Sequence, residues 1–286
     1  MNLDLNNRQR AMLLEMGVHV WWPGPVVQNA TKDVAVNARP SRATADNDTL
    51  LSGTVQMPVR LADPRKKASS SEQAALPSLP EGIASMDWPA LGEAVAQCQA
   101  CALCEGRRSP VLAVPPVGLH AHWLMLGDPP DEPQERAGLP FVDDAGKLLD
   151  RMLHAVGVSR IQPGVVTEPC QTAYLTHVVK CRPASMRVPN ADELAVCAHY
   201  LHREIALIQP RVIVAMGRFA MQLVLCETPP ESARLPLGKL RGKVYRYQGV
   251  PVVLTYPPVY LLRSGHDKAR AWADLCLAQD VVSRKL

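Results

Sequence analysis

Residues 174–197, YLTHVVKCRPASMRVPNADELAVC, put a strand, a basic loop and two cysteines into one short run. Tyr174, Leu175, Val178 and Val179 read as a largely buried strand, which Lys180, Cys181, Arg182 and Pro183 break into a loop rich in positive charge. Asn190, Ala191, Asp192 and Glu193 then form a helix start, with an Asn cap and acids in the first turn, and the helix carries Cys197. Cys181 therefore sits at a strand end and Cys197 on the following helix. Two thiols held in this way suggest a cluster site that clips a loop to the fold.

Outward from this stretch, strands and helices alternate. On the N-terminal side, Asp87 can cap a helix through Leu91, Ala94 and Val95 that delivers Cys98 and Cys101; residues 122–126 follow as a strand and 145–156 as a helix. On the C-terminal side the pattern gives a helix over 191–208, a strand over 211–216 and a helix over 218–225. A hairpin over 243–247 and 250–254 and a closing helix over 268–282 complete it. Such alternation predicts an α/β fold with a mainly parallel central sheet between helix layers and ligands at the carboxyl ends of the strands.

The first 85 residues differ in kind. Residues 1–24 predict a short helix with Met12, Leu13 and Met16 at helical spacing, ending near Gly17 and followed by the adjacent Trp21 and Trp22. The tryptophans suit a partner-docking peptide, and equally a segment folded back onto the main domain. Residues 25–85 turn to Ala, Ser, Thr, Asp and Pro and read as a flexible linker, with at most a short strand over 55–61. The ordered domain is expected over 86–286.

Composition sets outer bounds. With 286 residues and 47% apolar content, the chain can build a real core, and its formal charge of +4 permits a polyanionic partner without requiring one. No apolar run approaches the ~18 residues of a membrane span, and the N-terminus lacks a secretory pattern, which points to the cytoplasm. Disulfides are rare there, so the eight cysteines need another account.

Cys98 and Cys101 form a C-x-x-C, and Cys181 and Cys197 supply a second, wider pair. Four thiolates suit a tetrahedral zinc ion or a cubane iron–sulfur cluster, and the spacing leaves both open. Cys104 competes with Cys101, whereas Cys170, Cys226 and Cys276 read as buried free thiols.

These cysteines belong to a longer series: CQACALCEGR at 98–107, GLPFV at 138–142 with AGKLL at 145–149, VVKCRP at 178–183 with Cys197, LRG at 240–242 and YLLR at 260–263. In this order and spacing, from about residue 88 to the C-terminus, the series resembles the family 4 uracil-DNA glycosylases. The resemblance implies a three-layer α/β/α fold and a [4Fe–4S] cluster on Cys98, Cys101, Cys181 and Cys197. It also implies hydrolysis of the N-glycosidic bond of a flipped uracil in DNA.

In that family an aromatic side chain stacks on the base, and Phe141 matches its position. An Asn reads the uracil edge at the place occupied here by His177, and a Gly-Glu-x-Pro-Gly loop supplies a carboxylate where this chain has Gly127, Asp128, Pro129, Pro130 and Asp131. A His of the late loop is replaced by Pro257, which has no proton to donate. Asp128 is one methylene shorter than Glu, and a neutral imidazole cannot reproduce the paired contacts of an amide. The cluster cysteines are thus retained while three of four pocket signatures are altered. The expectation is a scaffold with lost or changed activity; Asp128 and His177 are the catalytic candidates if activity survives.

Plainer readings stand beside these: Phe141 and His177 as core residues, and Asp128 as the cap of a nearby turn. Lys180, Arg182, Arg187, Arg241 and Arg263 gather on loops around the expected pocket mouth and suit phosphate contact, or ordinary solvated surface. Residues 8–21, RQRAMLLEMGVHVW, are similar to the amino-terminal segment of the psi subunit of the bacterial clamp loader, which implies clamp-loader subunits as partners beside DNA. The combined expectation is a replication or repair accessory protein, with an active uracil-DNA glycosylase as the alternative.

Overall fold

The computed structural model describes residues 79–162, 165, 168–184, 187–226 and 235–283. The expected docking helix with Met12, Leu13, Met16, Trp21 and Trp22, the strand over 55–61 and most of the expected linker lie outside the described residues. Of the linker, residues 79–85 are described, and they include a 3-10 turn, Ile83–Ser85, whose Ile83 is buried in the core.

Among the described residues six strands form one sheet: β1 (Trp123–Gly127), β2 (Ser159–Arg160), β3 (Thr172–His177), β4 (Val212–Met216), β5 (Val244–Tyr247) and β6 (Val250–Thr255). Their order is β2-β3-β1-β4-β6-β5, and every pairing is parallel except that of β5 with β6. The helices are α1 (Trp88–Gln97), α2 (Glu132–Ala137), α3 (Asp144–Ala155), α4 (Ala191–Ile208), α5 (Arg218–Val224), α6 (Leu237–Leu240), α7 (Pro258–Arg263) and α8 (Lys268–Ser283).

Every residue of β1, β3 and β4 is buried, as expected of parallel strands covered on both faces. Alternate side chains serve two cores. Leu124, Leu126, Tyr174, Ile213 and Ala215 meet α1, α4 and α5, whereas Trp123, Met125, Leu175, Val212 and Val214 meet α3 and α8. The result is a three-layer α/β/α domain.

Local chemistry explains the helix starts. Asp87 accepts from Ala90 N at 3.0 Å ahead of α1. Asn190 and Glu193 make a reciprocal capping box on α4. The buried positions Cys197, Tyr200, Leu201, Glu204, Ile205 and Ile208 recur along α4 at helical spacing and face the sheet.

The strand expected over 174–179 instead runs Thr172–His177. Its partner β1 ends at Gly127, which is in register with His177, so Val178 and Val179 lie beyond the paired strand. Four short elements, β2, α2, α6 and α7, were not foreseen; α2 begins in an Asp-Glu-Pro stretch that reads as loop. No helix among the described residues is long and apolar enough to cross a membrane.

Candidate functional site

The register aligns the carboxyl ends of four parallel strands: Gly127 opposite His177 and Met216, and Met216 opposite Thr255. The strand order reverses around β1, so this edge is where an open α/β sheet offers a crevice. Gly127, Asp128, Phe141, His177 and Pro257 all lie on or just beyond the ends of these strands or in the loops near them.

Gly127 permits the closest approach there. A Cβ at this position would come 2.5 Å from Phe141 Cζ and 2.9 Å from His177 Nδ1. Phe141 has a φ of 53°, an uncommon conformation for a residue with a Cβ, and its neighbours hold it. Its N–H donates to Gln134 Oε1 at 2.9 Å, and its carbonyl accepts from Arg160 Nη2 at 3.1 Å. Gly146 leaves room for that carbonyl, because a Cβ there would lie 1.9 Å from the Phe141 oxygen.

The His177 ring lies against Phe141, with centroids 4.7 Å apart and planes inclined by 27°. His177 is 2% exposed and Phe141 6%. Nδ1 of the imidazole is 2.5 Å from the Asp128 carbonyl oxygen, and Nε2 is 2.6 Å from Gln134 Oε1, the oxygen that also accepts from Phe141. Two carbonyl oxygens facing both ring nitrogens favour imidazolium. Burial opposes it more strongly; the Asp128 bond works against burial and the charge of Lys180 adds to it, so the pKa falls to about 3. A pKa this low favours the neutral ring, in which Nδ1–H donates to the Asp128 carbonyl and Nε2 only abuts Gln134 Oε1.

Asp128 follows β1, and its side chain reaches α5. Oδ1 accepts from Phe219 N at 2.7 Å and Ala220 N at 3.0 Å, and Oδ2 accepts from Arg218 N at 3.1 Å. Gly217, at the N-cap with φ 115°, has no side chain to do this, and a Cβ there would strike Asp128 Oδ2 at 2.2 Å. Burial raises the Asp128 pKa, against the three amides and the charge of Arg218, which lower it. Asp128 is thus a cap, of a helix some 90 residues away rather than of the nearby turn. Pro257 occupies the N-cap position of α7 and brings no polar side chain or N–H.

Across β3 from this stack lie the cysteines. Cys98 ends α1, Cys181 follows β3 and Cys197 is on α4. Cys101 lies near both Cys181 and Cys98, and Cys197 near Cys181 and Cys101, so a thiolate at one disfavours a thiolate at the next. Burial is the larger cause and lifts Cys101 to about 11 and Cys197 to about 12. Cys181 is raised too, although Arg107 Nη1 donates to its sulfur at 3.2 Å. The backbone N–H of Lys180 donates to Cys197 Sγ at 3.3 Å. Among the described residues no three His, Cys, Asp or Glu side chains close around a single ion. The thiols are neighbours with N–H donors in place, a set that fits a sulfur-ligated group.

The basic residues divide. Lys180, expected on the DNA-facing loop, is instead buried, 1% exposed: its ammonium pairs with Glu204 Oε1 at 2.7 Å and donates to Thr176 Oγ1 at 2.6 Å and the His177 carbonyl at 2.9 Å. A buried cation needs such partners, and α4 supplies the counter-charge. Arg182 pairs with Glu135 at 2.8 Å, and Arg187 reaches both oxygens of Glu193, at 2.8 and 2.6 Å. Arg241 pairs with Asp274 at 2.7 Å while its guanidinium lies 4.7 Å above the Tyr256 ring. Arg263 is exposed at the end of α7. Gln134, Arg160 and Glu204 join these networks without having been singled out in the sequence; Gln134 lies in α2, where no helix was expected.

Residues 115–276 match the model of the uracil DNA glycosylase superfamily. A Type-4 uracil-DNA glycosylase of Archaeoglobus fulgidus is 33% identical over 177 residues, 60% of this chain and 83% of the relative. One from Thermotoga maritima is 33% identical over 181 residues, 63% of this chain and 85% of the relative. One from Pyrobaculum aerophilum is 34% identical over 197 residues, 67% and 93%. The superfamily match starts at residue 115 and so does not bear on the psi resemblance of residues 8–21.

Proposed function

This chain belongs to the uracil-DNA glycosylase superfamily, and from that premise we propose that it is a DNA-binding member whose own His177 fills the base pocket and which does not release uracil. The stack of His177 on Phe141 carries the proposal. A flipped base needs a free aromatic face, and the imidazole covers one face of Phe141 at 4.7 Å, with Gln134 Oε1 accepting from Phe141 N and packed against the imidazole. The rest of the edge agrees. Asp128 would have to release the start of α5 to act on water, and Pro257 has no proton for a departing base.

The same reading gives Cys98, Cys101, Cys181 and Cys197 the role of holding a [4Fe–4S] cluster, with zinc as the alternative. Bound there, the group would supply a covalent tie between the end of α1, the loop after β3 and α4. The fit rests on the gathered thiols and on the N–H donors to Cys181 and Cys197. For DNA, Arg263 and the outer arginines Arg182 and Arg187 offer phosphate contacts, and retention should weaken steeply with salt.

The test uses purified full chain with single- and double-stranded DNA carrying one uracil. The expected outcome is salt-sensitive DNA retention without abasic sites. Multiple turnover that disappears in Asp128→Ala would overturn the proposal and establish an active glycosylase working through Asp128, Phe141 and His177.

A further inference from the structure

Tyr200 is among the largest fully buried side chains, 1% exposed, and sits on α4 three residues after Cys197, on the same helix face. Its hydroxyl makes no hydrogen bond of normal geometry among the described residues, and the side chain that acts on it most is the Cys98 thiol. A buried phenol without a partner is rare, because Tyr is normally placed where its O–H can be satisfied. Cys98, Cys197 and Arg107 are the side chains around the ring, so the sulfurs are the acceptors within its reach. Two of the neighbouring sulfurs already receive an N–H, Cys181 from Arg107 and Cys197 from Lys180. A neutral thiol is a weak acceptor, whereas a metal-bound thiolate or sulfide is a strong one. The hydroxyl is therefore unsatisfied only while the sulfurs around it are protonated thiols.

We propose that Tyr200 is the O–H donor to the sulfur shell of the group held by Cys98, Cys101, Cys181 and Cys197, acting on the Cys98 side. It completes a set of three donors with Arg107 and the Lys180 amide. The inference rests on the cluster reading above and adds a positioning residue to it. Donors to sulfur withdraw charge and favour the more negative, reduced state, so each raises the midpoint potential of an iron–sulfur group.

The experiment compares anaerobically purified full chain with Tyr200→Phe for iron content, one-electron midpoint potential and rate of iron release to a chelator. With the donor in place, Tyr200→Phe lowers the potential by about a tenfold change in the reduction equilibrium, ~59 mV, and speeds iron release. Fluorotyrosine at position 200 keeps the hydroxyl and strengthens it as a donor, so it moves the potential upward; this arm stands even where Phe lowers the yield. An iron-loaded protein whose potential is unmoved by both changes overturns the role of Tyr200 and leaves the cluster reading intact. Zinc without iron in the wild-type chain overturns both.

Discussion

At the scale of single residues, His177 is the buried ring stacked on Phe141, and its protonation gives a stability signature. Its folded pKa of about 3 lies below the ordinary value of 6.5. Between these values the unfolded chain binds a proton that the folded chain refuses, so stability falls as pH drops from about 6.5 toward 3 and is unaffected by this group above that window. The slope approaches about 1.4 kcal/mol per pH unit. Urea unfolding of the wild type and of His177→Asn between pH 4 and pH 8 isolates it, since other titrating groups are common to both. The wild type should lose more stability on acidification. A variant that loses as much would mean that the carbonyls of Asp128 and Gln134 hold the ring as imidazolium, and the neutral-stack description would fail.

At the scale of elements, the site is assembled from helix starts and strand ends far apart in sequence. Asp128 is the clearest case: it completes α5 from the end of β1. Asp128→Ala leaves three amides without their acceptor and should destabilise the fold by about 1–2 kcal/mol. Asp128→Asn keeps an oxygen at the Oδ1 position, where two of the amides converge, and should cost less. Chemical denaturation measures both, and equal stability of all three proteins would remove the capping role. The alternation of strands and helices, the Asp87 and Asn190 caps and the hairpin over 243–254 were all legible in the sequence, because local periodicity and capping chemistry specify them. The positions of Phe141 and His177 were legible too, but their stacking was not. It depends on a positive φ at a residue that is not glycine, on Gln134 in an unforeseen helix and on the missing Cβ atoms of Gly127 and Gly146. Lys180 misled for a related reason: its counter-charge is 24 residues away on α4, and nothing local marks it as buried.

At the scale of the whole molecule, that lysine joins the two halves of the site. Its side chain holds the His177 carbonyl, Thr176 and Glu204, its N–H reaches Cys197 Sγ, and its carbonyl accepts from Val111 N at 2.7 Å. The His177 stack and the cysteines are therefore tied through one buried ion pair, with side chains 1% and 0% exposed. Removing one member leaves a charge without its partner in the core, so Lys180→Met or Glu204→Gln should cost about 3–5 kcal/mol. Removing both charges with apolar residues of similar size, Lys180→Met with Glu204→Leu, should cost much less than the sum. The cycle measures how strongly the pair acts as a unit. If the pair also transmits, filling the cysteine site should slow hydrogen exchange at residues 174–177 in the wild type and do so less in the double variant. By reciprocity, whatever displaces His177 should weaken metal retention by the same factor. Additive single costs would reduce Lys180 to a packing residue. Exchange at 174–177 that ignores metal loading would show that the two halves of the site share a strand without sharing an equilibrium.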